Sequence, residues 1–215
     1  MGIEGLEREE LVKLYRDLQL RVTRFSATEQ ALINTRDRLD QELELYKRMQ
    51  RYNAMLLNVP SLDRFFALVC EGIVDVFELE CAISARKIHD NEKWELFAEG
   101  HKIESGMCWD DDLNTLCQLH RHGESHILKL DDFSFLKCLS PFFEGLYFHL
   151  KDVKSGNQIL FLGLNSKANS ALYRNVQERH LALFNVFMQN VQSIFSNHQR
   201  SAEIEEQLGV IQKSS

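Results

Sequence analysis

Positions spaced alternately four and three residues apart run unbroken from Leu11 to Leu57. Written as a heptad, the seam puts Leu11, Leu18, Phe25, Leu32, Leu39 and Tyr46 at d, and Tyr15, Val22, Leu43 and Leu57 at a. A 3.5-residue repeat held this long keeps one narrow apolar stripe on the same side, and such a stripe buries itself best against another helix. The spacing therefore predicts a coiled-coil helix over residues 1–57, about 68 Å long for roughly 45 residues at 1.5 Å each. Its expected partner is a second copy, in a parallel homodimer, with a mechanical signal carried along the axis. Polar residues interrupt the seam at Glu29, Arg36, Gln50 and Asn53. In a parallel pair Glu29 and Arg36 each face their own copy. Two readings stay open there: neutralisation by charges at e and g, or a marginal segment able to shift register.

The rod leaves about 150 residues, enough for one domain. A net charge of -7 and the lack of a Lys/Arg block outside the rod argue against nucleic acid as a partner, since phosphate neutralisation needs a basic face. No run approaches the length of a membrane span, and no signal peptide is legible at the N-terminus, so a cytoplasmic location is expected. The five cysteines, Cys70, Cys81, Cys108, Cys117 and Cys138, are odd in number, irregularly spaced and mostly in apolar surroundings. They read as small buried hydrophobes in a reducing compartment rather than as a disulfide framework.

Val59 and Pro60 break the rod, Ser61 is a good N-cap, and Leu62 to Phe77 carries a broad apolar helical face. The period then shortens to that of strands. Cys81–Ile88 and Lys93–Ala98 are expected to form a hairpin, followed by a loop at 100–109 and a helix that begins at Asp110–Asp112 and closes at Gly123. His126–Leu130 is a possible strand, and Asp131–Phe143 is ambiguous, with Pro141 ending any helix in it. A second hairpin pairs Leu146–Val153 with Gln158–Asn165 through a link containing Gly156. Ile159 to Leu162 are apolar without alternation, which predicts a central strand covered on both faces. Helical periodicity returns at Val176 and persists to about Ile211. The domain is thus placed at residues 58–197 and the start of a second linker helix at 198–215.

This order, with Ser61-Leu62-Asp63-Arg64-Phe65 entering the first domain helix, resembles a GAF domain. Phe77-Glu78-Leu79-Glu80-Cys81-Ala82-Ile83-Ser84 looks like the family's passage from helix to first strand. Gln158-Ile159-Leu160-Phe161-Leu162-Gly163 is similar to its late central strand, and Arg179-His180-Leu181-Ala182-Leu183-Phe184 opens the exit helix. The resemblance covers roughly residues 55–197. It implies an α+β fold with an antiparallel five- or six-stranded sheet, helices on both faces, and a ligand pocket under the loops and short helix. The rod segment Glu29-Gln30-Ala31-Leu32-Ile33-Asn34-Thr35-Arg36-Asp37-Arg38-Leu39 resembles coils that precede GAF modules in bacterial hybrid histidine kinases, which implies a two-component sensor. The asparagine-lysine-phenylalanine-aspartate-glutamate pattern of cyclic-nucleotide-binding relatives is missing, as is a cysteine directly before a histidine, found in many bilin-binding ones. Neither His180 nor His198 heads a phosphoacceptor box.

The densest polar group is Cys117, His120, His122 and His126, with His101 and Cys108 upstream. Cys117 and His120 share one helical face and could address a metal or haem iron, but the same letters fit surface histidines beside a buried thiol, and no metal ligand set is assigned. Trp94, Trp109, Phe135, Tyr147 and Phe161 are candidates for an aromatic pocket, and His149 alternates with Tyr147 on one strand face. The ligand-pocket candidates are therefore Trp109, Cys117, His120, Tyr147, His149 and Phe161. Phosphate-cradling glycines, triads and paired carboxylates are missing, so no enzyme is expected in this chain. The function expected is a regulatory sensor that binds a small molecule or partner and relays a helix shift through a dimeric coiled coil. The alternative is a dimerisation and spacer module with no ligand.

Overall fold

The computed structural model describes residues 8–88, 93–99, 109–129, 136, 138–139, 141–151, 156–173 and 175–213. In chain order the elements are α1 (Arg8–Leu56), α2 (Leu62–Phe77), β1 (Cys81–Lys87), β2 (Glu95–Glu99), α3 (Trp109–Leu119), β3 (Ser125–Lys129), β4 (Phe142–Lys151), β5 (Gln158–Ser166) and α4 (Glu178–Lys213). The chain divides into two units, Met1–Tyr46 and Lys47–Ser215. Among the described residues no helix is long and apolar enough to cross a membrane.

In the first unit every described seam side chain is exposed, from 37% at Leu11 to 72% at Phe25. No described residue of its own unit covers the stripe. Beyond Tyr46 the same helix changes its apolar face. Met49, Tyr52 and Leu56 are buried and join the core of the second unit, whereas Leu57, the seam's last position, is 60% exposed. One helix thus carries two apolar faces in succession, offset by a single residue.

The ends of α1 and α2 show how the turn between them is fixed. A helix leaves its last four carbonyls without intrahelical donors. Here Asn53 O accepts from Leu57 N at 3.2 Å, Met55 O from Asn58 N at 3.1 Å, and Ala54 O from the Asn58 carboxamide at 3.0 Å. The fourth, Leu56 O, lies 3.3 Å from His198 Nε2 on α4. As its sequence suggests, Ser61 caps α2 by accepting from Arg64 N. Glu78 ends α2 in the left-handed region, with φ 54°, and turns the chain into β1.

Five strands form one antiparallel sheet in the order β2-β1-β5-β4-β3. Both expected hairpins are present. β4 begins at Phe142, earlier than the sequence suggests, with a register irregularity between Phe142 and Glu144. Most of Asp131–Phe143 lies outside the described residues, as does the loop at 100–108. One correction concerns Gly123. The helix expected to close there ends at Leu119, and Gly123 (φ 80°) lies in the turn into β3, where its N–H donates to His149 O at 2.7 Å. Its positive φ serves the turn rather than a helix cap.

β5 runs through the middle and is buried on both sides. Ile159 and Phe161 face α2 and α4 in a core with Phe65, Phe66, Phe184, Phe187 and the end of α1. Leu160, Leu162 and Leu164 face a second core with Trp94, Trp109, Leu113 and Leu116, closed by α3. At the far end of the strands a polar lattice joins three segments. Glu80 accepts from Ser166 N and from the Asn169 carboxamide, both at 2.7 Å. Asn165, fully buried, accepts from Glu80 N at 3.0 Å and donates to Glu144 Oε1 at 3.2 Å, and that same oxygen accepts from Val176 N at 3.0 Å, just ahead of α4.

Two glycines allow backbone approach that no side chain would permit. A Cβ on Gly145 would stand 2.4 Å from Gly163 O, and one on Gly163 would stand 2.4 Å from Leu79 Cδ1 and 2.6 Å from Ile73 Cγ2. Gly145→Ala strikes backbone, whereas Gly163→Ala strikes side-chain ends that can turn aside. Both are expected to destabilise, within the roughly 1–3 kcal/mol typical of overpacking, with Gly145→Ala the worse. Urea midpoints at unchanged m-value check the order.

Candidate functional site

Strand alternation sends Tyr147 and His149 of β4 to the α3 side of the sheet, with Leu146 and Phe148 on the other. His126 of β3 is registered opposite Tyr147 and shares its face. Above them α3 is held down by its own acidic start. Asp110 accepts from Trp94 N and Asp112 from Cys138 N, each at 2.7 Å. Asn114 accepts from both Trp94 Nε1 and Lys87 Nζ at 3.1 Å. The three aspartates thus do more than begin a helix: two of them fasten it to neighbouring segments.

With α3 in place, Cys117 and His120 come over the sheet edge. Tyr147 Oη lies 3.9 Å from Cys117 Sγ. The His120 ring stands 4.6 Å from that of His126 and 5.1 Å from that of Tyr147, and His149 is 6.4 Å from Tyr147 on its other side. Of the six candidates from sequence, the fold gathers Cys117, His120, Tyr147 and His149 into one cluster. Trp109, at the N-terminal end of α3, lines the same core. Phe161 goes to the opposite face, against Phe66 at 6.2 Å, in the helical layer. Odd-even alternation about β5 decides this, because Leu160 and Leu162 take the α3 side. His126 belongs to the cluster by its register with Tyr147, and Asn114 by bridging Trp94 and Lys87. The first already stands in the polar group read from the sequence, and register brings it to this face; no sequence signal marks the second. His101, Cys108 and Phe135 lie outside the described residues.

The cluster is polar in composition, and burial disfavours the charged forms of Cys117, His120, Tyr147 and His149. Burial pushes the Cys117 thiol up to about 11 despite the opposing hydrogen bond from Tyr147, so the reactive thiolate is suppressed. Burial likewise raises the Tyr147 phenol. Burial first, and then the neighbouring His126, lowers His120. His149, only 3% exposed, is pushed down to about 4 by burial. Gln158, diagonally across on β5, works the other way, but neither ring nitrogen of His149 meets a described partner at hydrogen-bond geometry. His126 Nε2 and Trp109 Nε1 are also buried without a partner among the described residues. Such an arrangement offers neutral donors and acceptors on an apolar floor, a surface that suits recognition more than nucleophilic chemistry. Among the described residues no group of three His, Cys, Asp or Glu side chains is arranged to hold a metal ion.

No family profile matches the chain, and no curated protein matches its sequence. Solved structures do resemble it. The GAF domain of an Acinetobacter phosphoenolpyruvate-protein phosphotransferase aligns with TM-score 0.52 at 9% identity, over 72% of this chain and 94% of that one. The GAF domain of the corresponding Coxiella burnetii enzyme aligns with TM-score 0.51 at 8% identity, over 74% and 98%. The N-acylhomoserine lactone dependent LuxR-family factor CepR2 from Burkholderia cenocepacia aligns with TM-score 0.52 at 7% identity, over 71% and 93%. At these identities the likeness is one of fold: the chain has a GAF-like α+β fold, as its sequence pattern implies.

The His149 imidazole ties stability to pH. Its folded pKa of about 4 lies below the ordinary 6.5, so between those values the unfolded chain takes up a proton that the native site refuses. Stability is complete above about pH 6.5 and falls as pH drops toward 4, by on the order of 3 kcal/mol at about 1.4 per pKa unit. His120 acts in the same direction. Denaturation midpoints measured from pH 7.5 to 4.5 should decline steeply in the native sequence and less so in His149→Leu.

Proposed function

We propose that this chain is a regulatory sensor module of a signal-transduction protein, reading a small molecule on the α3 face of its sheet and relaying the result through α1 and α4. The observation that carries this reading is the segregation of the two cores. One face of the sheet is sealed by phenylalanines and holds the ends of the entry and exit helices. The other gathers Cys117, His120, His126, Tyr147 and His149 beneath a short helix fastened by hydrogen bonds to neighbouring loops. A ligand engaging that cluster would act on β4, and β4 packs on its reverse side against the helical layer through Leu146 and Phe148. Ligand binding would then bias how α1 and α4 pack, a population shift between packing arrangements.

The resemblance to GAF domains supports this role, and CepR2, whose fold is similar, is described as dependent on an N-acylhomoserine lactone. The exposed seam of the first unit is read as the surface that pairs with a second copy. Any catalytic output belongs to a domain outside residues 1–215. The likeness of residues 29–39 to coils preceding GAF modules in bacterial hybrid histidine kinases makes a cytoplasmic kinase of that class the preferred output. The isolated chain should then have no turnover of its own.

Thermal unfolding of the full chain in the presence of a library of metabolites, acyl lactones and nucleotides tests the sensor reading. A ligand at about 100 times its Kd should stabilise the native state by about 2.7 kcal/mol. Tyr147→Phe and His149→Leu should remove most of that gain while leaving the unliganded fold intact. If no compound shifts the midpoint although the chain self-associates, the spacer alternative replaces the sensor.

A further inference from the structure

We infer that the exposed seam pairs with a second copy head to tail, in antiparallel register, with residue 15 of each chain opposite residue 46 of the other. The inference rests on the reading of the rod as a self-pairing surface and adds its direction and register. Of the ten a and d positions from Tyr15 to Tyr46, eight are apolar and two are Glu29 and Arg36. The two charges therefore decide between arrangements that bury the same apolar stripe.

In a parallel, in-register pair each a residue meets its own copy, so Glu29 meets Glu29 and Arg36 meets Arg36. Neutralisation from the flanks is not available to Glu29, because the surrounding e and g positions hold Ser26, Thr28, Ile33 and Thr35. Arg36 does have acidic neighbours, Asp37 at 2.8 Å on the outward b position and Asp40 one turn on at e, so the unrelieved like-charge layer of the parallel pair is that of Glu29. Antiparallel helices instead pack a against d. When residue numbers across the interface sum to 61, Tyr15 meets Tyr46, Leu18 meets Leu43 and Val22 meets Leu39. Glu29 then meets Leu32, and Arg36 meets Phe25, where a guanidinium can lie over the ring.

Three further consequences follow from that register. Neither charge meets its own copy. Glu29 of one chain and Arg36 of the other fall in adjacent layers, about 6 Å apart along the axis for four residues at 1.5 Å each, within reach of two long side chains. At the rim, Arg21 and Glu42, both at g, become neighbours across the interface. The parallel pair answers with one attractive rim contact, Glu42 with Lys47, and with Asp40 at e beside the Arg36 layer, but it leaves Glu29 facing its own copy with no opposite charge nearby. Charge complementarity thus selects the antiparallel pair.

Site-directed cross-linking on the full chain tests the direction. One preparation carries Tyr15→Cys and another Tyr46→Cys, and the unaltered chain with its native cysteines is the control. A short thiol cross-linker is expected to join the two variants to each other when mixed, and not Tyr46→Cys to itself. In a parallel pair positions 15 and 46 are about 46 Å apart, 31 residues at 1.5 Å each. A self-linked Tyr46→Cys product overturns the antiparallel register while leaving self-pairing intact. A monomer by light scattering at micromolar concentration overturns self-pairing and this inference with it. Charge reversal supplies a second readout. Arg36→Glu should raise the dimer dissociation constant about tenfold, and the double variant Glu29→Arg/Arg36→Glu should restore it. Failure of the double variant to rescue counts against the register, since a change confined to a single helix would not be rescued in this way.

Discussion

The structure is organised around a strand that cannot tolerate water on either side. β5 places apolar side chains on both faces of the sheet, and the chain therefore has to supply two covers. α2, α4 and the last turns of α1 make one, with phenylalanine rings interlocked at centroid distances of 5 to 6 Å. α3 and the two tryptophans make the other. Burial of this kind contributes about 25 cal/mol per Å² of apolar surface, so the two covers supply most of the driving force for the second unit. The two covers differ in kind: the first is mainly phenylalanine and aliphatic, with Asn53 and His198 at the end of α1, while the second has imidazoles, a phenol and a thiol at its β3/β4 edge.

Much of this is legible in the residues themselves. The unbroken apolar run Ile159–Leu162 demands a doubly covered strand, the shift from helical to strand period at Cys81 is visible, and Ser61 behaves as the cap its position suggests. What escapes the sequence is whatever depends on register or on partners far along the chain. Phe161 and Tyr147 look equally suited to a pocket, but one odd-even step on β5 sends Phe161 to the helices. Asp112 reads as an ordinary helix-start residue, but its carboxylate accepts from Cys138 N, 26 positions on. The lattice of Glu80, Glu144 and Asn165 joins residues up to 89 positions apart, and no local pattern announces it.

The rod poses the complementary problem. Its pattern is the strongest in the chain, but periodicity fixes only that a stripe exists and not what covers it. In the proposed pairing, direction and register depend on the few positions that break the pattern, Glu29 and Arg36, rather than on the many that keep it. The last turns of α1 show the same limit from the other side. The seam predicts Leu57 as the next inward residue, whereas the fold takes Leu56 and Tyr52 instead, because the core they meet lies one residue around the helix.

The hydrogen bond between Leu56 O and His198 bears on how such a module can be moved between proteins. A piece cut at residues 58 and 197 would follow the visible sequence boundaries and discard both partners of that bond, together with Met49, Tyr52 and Leu56 from the core. Transplantation of this domain into another protein therefore requires the last ten residues of α1 and at least the first residue past 197 to travel with it. The natural unit of exchange is the sheet with both helix ends attached.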